Sequence, residues 1–147
     1  MSKYGTESSK VMKIIVNQYS DRTHFIYEIL QNAEDADATK IKFKLHSDCL
    51  EIIHNGRLFN VIDFVVVCCI ADGTIEEDNR IGHFGIGFKS VYGYTLTPEI
   101  YSGEYCFKIE AQIFPYEINR KKNLEFSDTC IMLPFDSPYV SSKTAFE

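Results

Sequence analysis

The sequence predicts an α+β fold in which helices pack on one face of a β-sheet. Three observations predict it. An early segment has the apolar spacing of a helix, a second alternates like a strand, and the later part is rich in tyrosine, phenylalanine and isoleucine at strand lengths, interrupted by prolines. The chain has 147 residues, of which 45% are hydrophobic, so we expect one globular domain with its own core.

The first predicted element is a helix from about Thr23 to Ala36. Ser20 or Asp21 can cap its start, and the acidic stretch EDADAT ends it. The apolar residues that recur at helical spacing and mark its buried face are Phe25, Ile26, Ile29, Leu30 and Ala33.

Two strands joined by a short turn are predicted next, in KIKFKLHSDCLEIIHNG. Apolar residues alternate with lysines over residues 40–45, a turn follows at Ser47–Asp48, and a second apolar run covers Leu50–Ile53. Such alternation turns one face to the core and leaves the other in water.

The middle and end of the chain are less regular. The run LFNVIDFVVVCCIA is apolar nearly all round, which suits either a buried helix or a buried strand, and the resemblance described below favours the helix. DGTIEEDNR is typical of a mobile loop, and IGFKSVYGY can form a short helix that Gly93 would stop. EIYSGEYCFKIEAQIF and DTCIMLPF are predicted to form strands.

Composition limits which binding partners and which cellular compartment we expect for this chain. The net charge is −6 and the sequence pI is about 5.2, so we expect no direct nucleic-acid binding. Five cysteines without a C-x-x-C pair indicate buried thiols in a reducing compartment, not a disulfide framework or a zinc site. Val61–Ala71 is only about half a membrane span and the N-terminus is polar, so a cytoplasmic chain without membrane association is expected.

The stretch GHFGIGFKS, residues 82–90, is the first candidate site. Its glycines let a backbone approach a ligand closely, and the N–H groups of a following helix favour anionic oxygen, so phosphate is the natural occupant. A dinucleotide-binding interpretation fails because a polar loop precedes the glycines, and the Walker pattern fails because Phe88 separates Gly87 from Lys89. The alternative is that the glycines only shape a turn.

A second candidate is a row of polar side chains on the first helix. Glu28, Asn32 and Asp35 recur at i, i+4 and i+7, which places them on one face beside the apolar stripe. A carboxylate can orient an attacking water, and an amide oxygen can ligate Mg²⁺, which shares hard oxygen ligands with phosphates. The alternative is a solvated polar edge.

Together, EILQNAEDA and NRIGHFGIGFKSVY resemble the N-box, E-x-x-x-N-x-x-D, and the glycine box of the GHKL ATPases, the superfamily of gyrase B, a heat-shock chaperone, sensor histidine kinases and MutL. IGHFGIGFKSVY followed by PEIYSGEYCFKI resembles the sacsin-like branch, and the likeness covers about residues 26–135. The resemblance implies a Bergerat fold, a two-layer α/β sandwich with a mixed sheet and helices on one face, in which ATP lies between the layers.

The resemblance also implies roles for individual residues. Glu28 matches the general base that activates water, Asn32 the residue that holds Mg²⁺, and Asp35 the acid that lines the pocket. Thr129, on a late strand, matches the threonine that helps to bind adenine. The phosphate-binding box and its neighbours match Gly82, Gly85, Ile86, Gly87, Phe88, Lys89 and Ser90.

One position departs from the family pattern. The family's middle box is D-x-G, whose aspartate accepts a hydrogen bond from the adenine amino group, and this chain has His54, Asn55 and Gly56 there. A neutral imidazole nitrogen or the Asn55 side-chain oxygen can accept such a bond without the charge of an aspartate. The alternative is that His54 only ends a strand.

The resemblance therefore predicts an ATP-binding domain of a GHKL-type ATPase, with ATP and Mg²⁺ as cofactors. Hydrolysis at the γ-phosphate would act as a conformational switch in a larger protein, and a lid at about Ala71–Ile81 would close over the nucleotide. We expect an N-terminal extension over residues 1–20, the domain over 21–136, and a tail or linker over 137–147. Expected partners are ATP or ADP, further domains of the same polypeptide, and a second copy in a nucleotide-dependent homodimer.

A non-hydrolysing nucleotide sensor or chaperone-type binding module is the alternative function. Retention of Glu28 argues against it and His54 argues for it. A phosphotransfer kinase would need a phosphoacceptor histidine on a helix upstream, where only about twenty residues precede the first predicted helix.

Overall fold

The structure, a computed structural model, describes residues 24–69, 88–112 and 114–136 of the 147-residue chain. These residues form two α-helices, one 3₁₀ helix and six strands. In chain order the elements are α1 (His24–Asp35), β1 (Ile41–Leu45), β2 (Cys49–His54), α2 (Val61–Cys69), the 3₁₀ helix (Lys89–Gly93), β3 (Glu99–Ser102), β4 (Tyr105–Glu110), β5 (Phe114–Glu117) and β6 (Thr129–Pro134).

The six strands form one sheet in the order β1-β2-β6-β3-β4-β5. The predicted α+β class and the predicted strands are confirmed, but the predicted mixed sheet is not, because each pairing among the described strands is antiparallel. Short turns join β1 to β2 and β3 to β4, and such turns can only make antiparallel hairpins. Strands β2 and β3 run in the same direction, but β6 lies between them and is antiparallel to both.

The hydrophobic core lies against one face of this sheet. Directly paired residues of antiparallel strands share a face, and the register puts these apolar residues of four strands on the same one: Leu50, Ile52, Ile131, Leu133, Ile100 and Phe107. Phe25 and Ile29 of α1, Val67 of α2, and Phe88 and Val91 at the 3₁₀ helix belong to the same core. Both α-helices therefore contribute to one core on this face.

Helix α1 forms where it was predicted, and Thr23 lies outside the described residues. Phe25, Ile29 and Ala33 are buried at intervals of four residues, and the ring of Phe25 packs 4.3 Å from that of Tyr94. Leu30, predicted to belong to the buried face, is exposed instead. Its position is rotated too far from the line of buried residues to reach the sheet.

Strand β1 lies at the edge of the sheet formed by the described strands, and this changes the expected burial. Its apolar side was predicted to face the core, but Phe43 and Leu45 are 38% and 51% exposed. They lie opposite Ile52 and Leu50 on the core face of the sheet, at its margin. The lysine side is exposed as predicted.

The apolar run that suited either a helix or a strand is a helix, α2. Asn60 caps it: the Asn60 side chain accepts the N–H of Asp63 at 3.0 Å, and the Asp63 carboxylate accepts the N–H of Asn60 at 2.9 Å. This reciprocal pair is a capping box. Arg57 pairs with the same carboxylate at 2.7 and 3.2 Å, and Phe64 packs edge to face on Phe107.

No helix within the described ranges is long and apolar enough to cross a membrane.

Candidate functional site

A row of buried polar residues crosses the core face at one end of the sheet. His54 ends β2, Thr129 begins β6 and Ser102 ends β3, and the register pairs His54 with Thr129 and Thr129 with Ser102. Their exposed fractions are 7%, 0% and 1%. The other buried residues that β2, β6, β3 and β4 place on this face are apolar, so the row (His54, Thr129 and Ser102, hereafter the polar row) is the chemically distinct end of it.

The two hydroxyls of the polar row bond to each other, with Ser102 Oγ and Thr129 Oγ1 2.6 Å apart. Ser102 Oγ also accepts the backbone N–H of Phe59 at 2.8 Å, so the segment before α2 is tied to the row. Each hydroxyl has one hydrogen, and one of the two serves the bond between them. Among the contacts of the described residues, the other hydrogen is left to donate.

The imidazole of His54 accepts the backbone N–H of Gly56 at Nδ1, at 3.1 Å. An accepting Nδ1 carries no proton, so the neutral ring has its hydrogen on Nε2, on the far side from Gly56. Burial lowers the pKa of His54 below its ordinary value of 6.5, against the smaller opposing effect of the nearby Asp128 carboxylate. At neutral pH the ring is therefore uncharged and donates through Nε2.

The turn after β2 docks on the end of α1. Arg57 donates its N–H to the carbonyl of Ala36 at 2.6 Å. A Cβ on Gly56 would lie 2.8 Å from that oxygen and 3.0 Å from His54 Nδ1, so only glycine fits there. This close approach holds the histidine next to the helix that carries the acidic and amide candidates.

Asn55 has a different role from the one considered from the sequence. Its side-chain oxygen accepts the N–H groups of Thr39 and Lys40, both at 2.9 Å, and its amide donates to Thr39 Oγ1 at 2.8 Å. Both lone pairs of that oxygen are in use. Asn55 thus ties the α1–β1 connection to the turn, and its oxygen is not free to accept a hydrogen bond from adenine.

The polar face of α1 carries the three predicted residues. Glu28 and Asn32 are half-buried, and Asp35 is exposed at the last position of the helix, where it accepts a hydrogen bond from Gln31 at 3.1 Å. Glu28 and Asn32 together offer carboxylate and amide oxygens, the hard donors that suit Mg²⁺. In the part of the chain that the structure describes, no group of three or more His, Cys, Asp and Glu side chains is arranged to hold a metal ion.

Most of the predicted phosphate-binding box lies outside the described residues. This holds for the four residues Gly82, Gly85, Ile86 and Gly87 and for the predicted lid at 71–81. Its described end belongs to the core: the Phe88 side chain is 2% exposed, Ser90 is 3% exposed, and Lys89 is half-buried. The Phe88 ring packs edge to face on Tyr92.

Ser102 and the Phe59 N–H are members of the site that sequence reasoning missed. Neither lies in a recognised box, and they join the site only through the pairing of β3 with β6. The pattern that points to Ser102 is weak: in EIYS a polar residue occupies the position that continues the buried alternation after Ile100.

A second polar cluster lies on the opposite face of the sheet. Glu51 is 7% exposed; its Oε2 lies 2.9 Å from His46 Nε2, and its Oε1 lies 3.7 Å from Lys121 Nζ and 3.9 Å from the Cys130 thiol. Burial raises the pKa of Glu51, but the hydrogen bond from His46 and the charges of Lys121 and Lys44 outweigh burial and hold it below 4.5. Burial raises the pKa of the Cys130 thiol to about 12, so this thiol is inert.

The chain is similar to parts of two much longer proteins. It is 32% identical to human sacsin over 111 residues, an alignment that covers 63% of this chain and 2% of sacsin. It is 31% identical to protein NO VEIN of Arabidopsis thaliana over 144 residues, covering 80% of this chain and 5% of that protein. The chain thus spans a small part of each relative. A scan against models of protein families finds no match.

Proposed function

We propose that this chain is a nucleotide-binding domain of the GHKL type, in its sacsin-like branch, which binds ATP with Mg²⁺ and hydrolyses it as a switch in a larger protein. The likeness to sacsin supports the branch. The observation that carries the proposal is the convergence of three candidate segments at one end of the sheet. Helix α1 meets the His54–Gly56 turn through Ala36, and that turn lies opposite Thr129.

The residues divide the work by their chemistry. An apolar sheet face that ends in a few polar groups suits a flat, heteroatom-containing ring such as a nucleobase. The Asn32 amide oxygen would be a ligand of Mg²⁺, which when bound neutralises phosphate charge. Glu28, four residues earlier on the same helix face, would orient water and accept its proton. The glycine box, by the resemblance, would hold the phosphates with backbone N–H groups.

Calorimetric titration of the 147-residue chain with the β,γ-imido analogue of ATP and Mg²⁺ tests binding. We expect binding by the wild type, loss of about tenfold or more in affinity for Asn32→Ala, and no change for Glu34→Ala, an exposed residue of the same helix away from the polar face. Absence of binding by the wild type, or equal binding by Asn32→Ala, would sink the proposal.

Phosphate release from ATP separates hydrolysis from sensing. A wild-type rate that Glu28→Ala abolishes, with nucleotide affinity retained, supports a catalytic carboxylate. Equal and negligible rates for the two proteins, alongside Mg²⁺-dependent binding, would favour the non-hydrolysing sensor instead.

A further inference from the structure

The polar row presents a hydrogen at His54 to whatever lies against that end of the sheet. His54 Nδ1 is committed to the Gly56 N–H, so the ring presents Nε2–H. The Ser102 and Thr129 hydroxyls bond to each other and Ser102 accepts the Phe59 N–H, so among the contacts of the described residues this pair can still either donate or accept. His54 and Thr129 are direct cross-strand partners, so the imidazole lies beside the hydroxyl pair, with about 5 Å between the two Cβ atoms.

We infer that this site reads position 6 of its purine through the Nε2–H donor of His54, and that it accepts 6-oxopurine nucleotides, inosine and guanosine triphosphates, at least as well as ATP. His54 is the specificity-determining residue. The inference rests on the proposed nucleotide site and concerns which base that site selects.

Adenine and the 6-oxopurines differ at position 6, the position that would face His54. A 6-oxopurine has an acceptor oxygen at position 6, whereas adenine has an amino group that donates there. Opposite the His54 Nε2–H, the oxygen gains a hydrogen bond. An amino group would leave two donors facing each other, and two desolvated donors without an acceptor between them lower the affinity. Adenine is left with ring nitrogen N1 as its acceptor, so its amino group adds nothing to affinity.

Two substitutions of His54 separate donor from acceptor chemistry. An asparagine can accept the Gly56 N–H through its oxygen and still donate through its amide, so His54→Asn keeps the donor pattern. An aspartate can accept the same N–H but has no hydrogen to offer, so His54→Asp turns the donor into an acceptor. His54→Asp should therefore prefer adenine, which carries an amino group at position 6.

The experiment measures dissociation constants for the β,γ-imido analogues of ATP, ITP and GTP with Mg²⁺. ITP is the main comparison because its base differs from adenine only at position 6 and the adjoining N1 hydrogen. For the wild type and His54→Asn we expect ITP to bind as tightly as ATP or more tightly. For His54→Asp we expect the ratio to move about tenfold toward ATP.

A wild type that prefers ATP over ITP by more than threefold overturns the inference, as does an unchanged ratio in a folded His54→Asp variant. If that variant does not fold, the wild-type ratio and its retention in His54→Asn decide the question. Tight, Asn32-dependent binding with a clear ATP preference would refute only the base-reading inference. Failure of every nucleotide to bind the wild type would refute the nucleotide site itself.

Discussion

The two faces of the sheet each bury polar side chains, but they differ in how fully the protein pairs those side chains. On the face away from the helices, Glu51 contacts His46 and Lys121, so its charge is paired within the protein. On the helix-covered face, the polar row makes its internal bonds, and the contacts of the described residues leave the His54 Nε2–H and one hydroxyl hydrogen unused. A buried polar group that is fully satisfied by its own chain needs only a structural explanation, whereas unused capacity in a buried place needs a further one, such as a bound water, ion or ligand.

The largest expected effect comes from forcing apart the turn that supports the polar row. Gly56→Ala puts a methyl group 2.8 Å from the Ala36 carbonyl oxygen, so α1 and the turn must separate, and we expect a loss of about 3 kcal/mol in the free energy of unfolding. Urea unfolding measures it. Gly93→Ala is the matched control, because a Cβ at Gly93 meets nothing within 4 Å. Equal stability of the two variants would contradict the close docking.

Removing the Glu51 charge, on the face away from the helices, should destabilise the fold less than Gly56→Ala does and should leave nucleotide binding unchanged. Glu51→Ala removes the carboxylate that His46 and Lys121 share. The His46 side chain is 46% exposed, so water can replace part of the lost interaction. We therefore expect a loss of about 2 kcal/mol in the free energy of unfolding. Nucleotide affinity should not change. Glu125→Ala, at an exposed position, should be neutral in both assays. A fall in nucleotide affinity for Glu51→Ala would show that the two faces are coupled.

Ser102→Ala acts on the polar row and should lower both the free energy of unfolding and the affinity for nucleotide. It removes the acceptor of the Phe59 N–H and the partner of the Thr129 hydroxyl, at an expected cost of about 1.5 kcal/mol in unfolding free energy. Nucleotide affinity should fall several-fold, since the Thr129 hydroxyl loses the partner that orients it. Ser127→Ala, an exposed serine, is the control. Loss of stability without loss of affinity would make Ser102 structural only.

The smallest effect distinguishes the faces by pH. Because folding lowers the pKa of His54 below 6.5, the unfolded chain binds a proton first as pH falls, so stability declines below that value. Glu51 contributes stability that is lost only as pH falls below 4.5. Urea unfolding from pH 7 downward to about pH 3 should show the first decline, which His54→Asn removes, before the second, which Glu51→Gln removes. A decline near pH 6 that survives in His54→Asn would have another origin.

The sequence predicted local structure well where periodicity is strong. Helix α1, the hairpin β1–β2 and the late strands all follow from spacing that belongs to one segment at a time. The candidate residues Glu28, Asn32, His54 and Thr129 could be named from local boxes and a family resemblance. The strand register places His54 opposite Thr129, whereas the approach of Glu28 and Asn32 to them stays an expectation of that resemblance.

What could not be predicted depends on which strands become neighbours. The antiparallel order of the sheet follows from where β6 inserts, and no property of TCIMLP by itself specifies that. Ser102 entered the site through the same pairing. The position of Asn55 was equally hidden, because its partners lie about fifteen residues away in Thr39 and Lys40. The burial of Phe43 was overestimated because alternation does not distinguish an edge strand from a central one.

The place of β6 in the sheet also has a consequence for how the chain acquires its structure. It is the last of the described strands in sequence but sits centrally, between β2 and β3. During synthesis, the hairpin β1–β2 and the meander β3–β4–β5 can form early from neighbours, yet they cannot join until residues 129–134 emerge. Thr129 is part of that strand, so the polar row is completed in the same event that unites the two halves of the sheet.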